Sequence, residues 1–112
     1  MRITAVPLLT CLLASTSMLL AETWKNVPVM DTACVKEFKS EPDKHTTDCA
    51  LQCAAGGYGL ITADGTFIPF DAAGNEKTVA ALKATKKTDH LRATVQGEKA
   101  GDTIKVTSIS IP

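Results

Sequence analysis

The N-terminal segment sets the size of the unit that this chain can fold. Arg2 precedes a mostly apolar stretch at 6–20, and Ala21 is the kind of small residue found at signal-peptide cleavage sites. This order is typical of a secretory signal peptide. The stretch is shorter than the roughly 20 apolar residues of a membrane-spanning helix, and hydroxyl side chains interrupt it. We therefore predict a signal peptide at 1–21, a periplasmic or secreted protein, and no stable membrane anchor after cleavage.

Removing the predicted signal peptide from the 112-residue chain leaves enough sequence for one small domain, 22–112. The chain has 12 basic and 12 acidic residues and loses only Arg2, so the domain stays close to neutral. A near-neutral balance argues against nucleic acid as a partner, because binding to phosphates requires an excess of basic residues. With one Trp, one Tyr and three Phe, the core must be largely aliphatic. Exported domains with so small a core often add a disulfide or a metal ion.

The second half of the chain carries the clearest secondary-structure signals. Two β-prone runs within 58–70 flank Asp64–Gly65, a pair that favours the type I′ turn of a two-residue hairpin. Apolar and polar residues alternate at 91–96, which predicts a half-buried strand. In the last strand, 103–111, the apolar phase changes near Thr107–Ser108, and such a change predicts a β-bulge.

The order of elements predicts a mainly β, α+β domain. A strand, a helical insert, a hairpin, a helix and a second hairpin follow one another, which is the order of the OB-fold, a partly open Greek-key barrel. We expect a five-stranded OB-like barrel, with a cysteine-bearing insert between strands 1 and 2 and a helix between strands 3 and 4. Another five-stranded α+β sheet with the same order is the alternative. The first strand is predicted at 24–31, the helix of the insert at 48–55, and the second helix from its cap Asn75 to about Lys86.

Three motifs carry a resemblance to a family. They are Asp31-Thr32-Ala33-Cys34, then Cys49-Ala50-Leu51-Gln52-Cys53 followed by Gly56-Gly57, and a Gly-Asp-x-Ile-x-Val-x-Ser-Ile segment within 97–109. Together they resemble small exported bacterial domains of uncharacterised function that form an OB-like barrel. The resemblance implies the fold for nearly all of 22–112 and lends no established activity.

Three cysteines follow the predicted signal peptide, and an odd number leaves one unpaired in an oxidising compartment. Cys49 and Cys53 lie four residues apart on the predicted helix, so a bridge between them would close almost no loop. Cys34 is the more useful partner for either one. Its bridge would enclose roughly 15 to 20 residues and stabilise the fold by about 3 kcal/mol in the chain-entropy model. The sequence leaves open which of the two it joins.

The same cysteines and one histidine also suggest a metal site. Cys34, His45, Cys49 and Cys53 form a Cys₃His set, which is typical of tetrahedral zinc, and three thiolates also suit Cu⁺. His45 can join the set only if the helix begins at Thr46 or Thr47. A thiol-based redox role or a dimerising bridge is a second alternative. The Cys-x-x-x-Cys spacing, however, differs from that of Cys-x-x-Cys oxidoreductases.

No recognised catalytic motif occurs in the chain. Phosphate-binding Gly loops, Gly-x-Ser-x-Gly and His-Glu-x-x-His are all missing from the sequence. We therefore expect a non-enzymatic binding or structural module without a cofactor, stapled by a disulfide from Cys34 to the helix, with zinc or copper binding as the alternative. Tyr58, Phe67 and Phe70 would be contact residues for an unidentified ligand or protein partner, on a face formed by strands 2 and 3.

Overall fold

The computed structural model describes residues 21–112, so the predicted signal peptide lies outside the described residues except for Ala21. The described part contains five strands and three α-helices. Among these residues, no helix has the length and apolarity that a membrane crossing requires. The elements are β1 (Ala21–Asp31), α1 (Val35–Phe38), α2 (Thr47–Gln52), β2 (Tyr58–Ile61), β3 (Phe67–Pro69), α3 (Ala72–Ala84), β4 (Arg92–Ala100) and β5 (Thr103–Ser110), with short 3-10 turns at Thr32–Cys34, Pro42–Lys44 and Ala54–Gly56.

The strands form one antiparallel sheet in the order β3-β2-β1-β4-β5. This confirms the α+β class and the five strands, and both the insert and the intervening helix lie where they were predicted. One parallel bridge, between Phe70 and Ile104, links the two ends of the sheet. The sheet is not closed, and the barrel is therefore not confirmed.

One face of the sheet packs with α3 around an aliphatic core. Alternate residues of β4 and the residue before it are buried, namely Leu91, Ala93 and Val95, which confirms the half-buried strand. Leu82 is the large apolar side chain that α3 buries in this core. The other large contributors are Val29, Tyr58, Leu60, Ile68, Phe70, Ile104, Val106 and Ile111.

The predicted β-bulge is confirmed at Thr107. Gln96 pairs with Ser108 whereas Gly97 pairs with Val106, so Thr107 is an extra residue on β5. A Cβ on Gly97 would overlap the carbonyl of Lys105, and the two strands can approach this closely only at glycine.

The hairpin between β2 and β3 is present, but the predicted type I′ turn is wrong. Such a turn needs positive φ at both Asp64 and Gly65, and only Gly65 has it, at 84°. The Thr62 N–H donates to Thr66 O and the Gly65 N–H donates to Thr62 O, which makes a three-residue loop ending on a left-handed glycine. Asp64 bridges the loop by accepting hydrogen bonds from the Thr62 hydroxyl and the Thr66 N–H.

The predicted cap of α3 is also wrong. Asp71 caps the helix, because its carboxylate accepts a hydrogen bond from the Gly74 N–H at 2.9 Å. Asn75 lies inside the first turn, and its side chain accepts instead from the Tyr58 N–H at 2.9 Å. Asp71 Oδ1 also accepts from the Val106 N–H at 3.2 Å, so one carboxylate ties the start of α3 to β5.

We expect Asp71→Ala to lower the free energy of unfolding by about 1–3 kcal/mol, because two buried N–H groups lose their acceptor. Asp71→Asn keeps a side-chain carbonyl oxygen and should lose less than half as much. Urea denaturation of the two variants and the wild type measures the difference. Equal losses in both variants would show that the charge, and not the hydrogen-bond acceptor, stabilises this junction.

Candidate functional site

The insert between β1 and β2, residues 32–57, is fixed to the rest of the domain at several points. The Thr32 N–H donates to Gly57 O, so the two ends of the insert meet beside the β1–β2 ladder. Tyr58 donates its buried hydroxyl to Ala50 O at 2.7 Å and thereby ties α2 to the core. These bonds matter because α1 and α2 have only four and six residues and would not persist in isolation.

A second set of contacts joins the insert to the start of β4 and to the segment before it. The Thr47 hydroxyl donates to Lys87 O at 2.7 Å. Arg92 makes two hydrogen bonds to Asp43, from Nε to Oδ1 at 3.0 Å and from Nη2 to Oδ2 at 3.2 Å. The guanidinium holds the pKa of the Asp43 carboxyl below its usual value, so this pair stays ionised at neutral pH.

Asp31, the last residue of β1, is the centre of the site. Its side chain is fully buried, and its position opposite Tyr58 in the ladder sets where the carboxylate points. Oδ2 accepts a hydrogen bond from the Cys34 N–H at 3.1 Å, which caps the 3-10 turn that follows β1. Oδ1 lies 2.7 Å from Nε2 of His45, which is also fully buried.

Two cysteines meet at this carboxylate. The Sγ atoms of Cys34 and Cys53 and a carboxylate oxygen of Asp31 all lie within 4.8 Å of one another. Cys34 and Cys53 are 4.4 Å apart, too far for a disulfide with its S–S bond of about 2.05 Å. Burial raises the pKa of the Cys34 thiol to about 12, and the nearby Asp31 and Cys53 act in the same direction. We call Asp31, Cys34 and Cys53 the thiol–carboxylate cluster.

The local structure of α2 explains why Cys53 joins the cluster. Thr46 caps α2 by accepting a hydrogen bond from the Cys49 N–H at 3.2 Å. Ala50 is buried, and Cys53 follows it by three residues and lies on the same inward face. Cys49 is exposed and lies outside the cluster. The structure thus brings Cys34 together with Cys53 and not with Cys49.

His45 lies next to the cluster, fully buried and, within the described part of the chain, without a hydrogen bond to either ring nitrogen. The aromatic ring of Phe38 packs against its imidazole with the ring centroids 5.2 Å apart. Its Nε2 is close to Asp31 Oδ1, but the two are not aligned for a hydrogen bond. Among the described residues, the buried atoms without a hydrogen-bond partner are Asp31 Oδ1 and the two ring nitrogens of His45. Buried polar atoms without partners are rare in folded proteins and often mark the place of a bound ion or water.

The predicted site residues therefore separate into groups. Cys34 and Cys53 lie in the cluster, and His45 approaches it through Asp31, which the sequence analysis missed. The Asp-x-x-Cys spacing was the signal for it, because an aspartate at this distance caps the turn that carries the cysteine. Tyr58 and Phe70 are core residues, 1 % and 5 % exposed, and do not form a contact face. Phe67 is half-buried, and its ring covers Gly59.

Comparison with protein-family models, with curated proteins and with solved structures found no match for this chain. The family resemblance therefore stays a prediction.

In the reduced protein, we expect iodoacetamide to modify Cys49 first and Cys34 last at neutral pH. Cys49 is exposed, whereas Cys34 is half-buried and its raised pKa leaves it almost entirely protonated. Peptide mapping after timed labelling gives the three rates. Labelling in urea is the control, since the three thiols should then react at similar rates. A Cys34 that reacts as fast as Cys49 in the folded protein would contradict the described geometry.

Proposed function

We propose that this chain is an exported, non-enzymatic protein whose thiol–carboxylate cluster binds a thiophilic metal ion, Zn²⁺ or Cu⁺. One observation carries the proposal. Two thiols and a carboxylate oxygen lie within 4.8 Å of one another, and the carboxylate belongs to Asp31, whose side chain is fully buried and whose Oδ1 accepts no hydrogen bond from the described residues. A bound cation would compensate the buried negative charge of that carboxylate.

The donor atoms suit such an ion. Thiolates at about 2.3 Å and a carboxylate oxygen at about 2.0–2.2 Å are common zinc ligands, and ligand atoms around one tetrahedral ion lie roughly 3.5–3.8 Å apart. The cluster would have to contract by only about 1 Å. Cu⁺ would favour the two sulfurs over the carboxylate. His45 Nε2, 2.7 Å from Asp31 Oδ1, would be the neighbouring polar group that metal-binding carboxylates commonly have.

Charge favours the same interpretation. Asp31 is fully buried, and a second or third negative charge beside it would be costly without a cation. The raised pKa of Cys34 shows this cost, since the thiol keeps its proton when no ion is bound. A bound cation would offset the charge of the thiolates and of Asp31, and Zn²⁺ would offset more of it than Cu⁺.

A disulfide between Cys34 and Cys53 is the second candidate, because the two residues are neighbours at 4.4 Å and would have to approach by roughly 2 Å to form the bond. Both thiols would lose a proton, and the two electrons would pass to a disulfide-bearing oxidant of the exported compartment. The bond would close a loop of roughly 20 residues and stabilise the domain by about 3 kcal/mol. It would make this a stapled structural or binding module, with Cys49 left as the free thiol. The two states exclude each other, since both use the same sulfurs.

We also propose that the sheet is a partly open, OB-like barrel. The support is the contact between its two ends, where Phe70 forms a bridge with Ile104 and the Asp71 N–H donates to Ile104 O at 2.9 Å. The predicted signal peptide supports export to the periplasm or medium.

We expect the purified, reduced protein to bind one Zn²⁺ or Cu⁺ with an affinity that falls about 100-fold or more in Cys34→Ser and in Cys53→Ser, because each variant removes a ligand. Cys49→Ser is the matched control and should bind like the wild type. Competition with a chromophoric chelator, under anaerobic conditions, gives the affinities. Equal loss in all three variants, or no binding by the wild type, would reject the metal site.

The disulfide candidate predicts a different result for protein recovered from its exported compartment. Intact mass would be lower by two hydrogen atoms, and peptide mapping would join Cys34 to Cys53. Reduction would then lower the free energy of unfolding by about 3 kcal/mol. Recovery of three free thiols with a metal ion that a chelator removes would instead favour metal binding.

A further inference from the structure

A cleft of about 400 Å³ lies apart from the thiol–carboxylate cluster, and Arg92 at the start of β4 contributes to its lining. The first strand, the insert and the loop between β2 and β3 each form one wall. Its apolar floor includes Val27, Pro28 and Ile61, and cationic side chains surround it, namely Lys25, Lys39 and Arg92. The volume is in the range of small-molecule sites, and none of its lining residues belongs to the thiol–carboxylate cluster.

The charge of this cleft is one-sided. No acidic side chain lines it, in a chain whose basic and acidic residues are equal in number. Among residues 21–112, no carboxylate lies within 4.0 Å of the Lys25 or Lys39 ammonium group. Asp43 forms an ion pair with Arg92 and with neither of the two lysines. A concave surface with one sign of charge and a partly apolar wall concentrates the field and attracts anions.

Arg92 is held in place for such a ligand. Nε and Nη2 bind Asp43, and Nη1 donates to Asn26 O at 3.3 Å. A guanidinium has five N–H groups, so three are used here and two remain. Asn26 has φ of 52° and belongs to a bulge in β1, where the register to β4 shifts between Trp24 and Val27. The bulge turns the Asn26 carbonyl toward Arg92 and helps to fix the guanidinium.

We infer that this cleft binds a small organic anion, a carboxylate carried on an apolar body. The carboxylate would lie between the Lys25 and Lys39 ammonium groups and the free N–H groups of Arg92. The apolar body would cover the floor at Val27 and Ile61. This site is separate from the metal proposal and stands if that proposal fails.

The test uses benzoate as the probe and benzamide as its neutral counterpart of the same shape. In ¹H–¹⁵N spectra of the protein, benzoate should shift the amide signals of residues around the cleft, such as Asn26 and Ala63, and benzamide should not. Lys25→Gln combined with Lys39→Gln should weaken benzoate binding by about tenfold or more, since two attractive charges are removed. The same double change at Lys83 and Lys105, which do not line the cleft, is the control.

Each result decides the inference. Benzoate-specific shifts at the cleft, lost in the first double variant and kept in the control, support it. Equal shifts with benzamide would show that apolar contact alone drives binding and would overturn the charge argument. If benzoate binding weakens equally in the control variant, the net charge of the protein, and not the cleft, is what attracts benzoate. If no amide signal shifts at high benzoate concentration, the cleft does not bind this anion and the inference is overturned.

Discussion

The buried carboxylate of Asp31 is the interaction on which the rest of the site depends. It caps the turn that presents Cys34, lies 2.7 Å from His45 Nε2, and shares the cluster with Cys53. Its own position comes from the sheet, because Asp31 pairs with Tyr58 across the β1–β2 ladder. The short helices of the insert are therefore oriented by contacts with β1, and this strand also sets the positions of the cluster side chains.

Sequence periodicity predicted those elements whose side chains alternate between core and solvent. The half-buried strand around Ala93 and the bulge at Thr107 follow from period-two patterns, which depend on burial and little else. The cap of α3 was missed because Asp71 and Asn75 are both good capping residues, and only the distant Tyr58 N–H decides between them. Capping preferences along the sequence do not distinguish Asp71 from Asn75, whereas the tertiary contacts of the folded domain do.

The candidate site was predicted only in part for a related reason. Cysteine and histidine are candidate site residues by their chemistry alone, and Cys34 and Cys53 were predicted on that basis. Asp31 is one of many aspartates, and its burial follows only from the folding of the insert against β2. Which cysteine faces Cys34 depends on where α2 begins and on the buried hydroxyl of Tyr58 that holds Ala50. A single sequence does not encode these distances in any simple pattern.

The position of β1 has a consequence for how the chain reaches this structure. β1 comes first in the described chain yet lies at the centre of the sheet, and its partner β4 is remote, with Asn26 and Arg92 separated by 66 positions. The loop-closure entropy of that pairing opposes folding until both strands have met, which is typical of slowly folding β topologies. A chain truncated before β4 would leave one edge of its central strand open to pairing with other molecules.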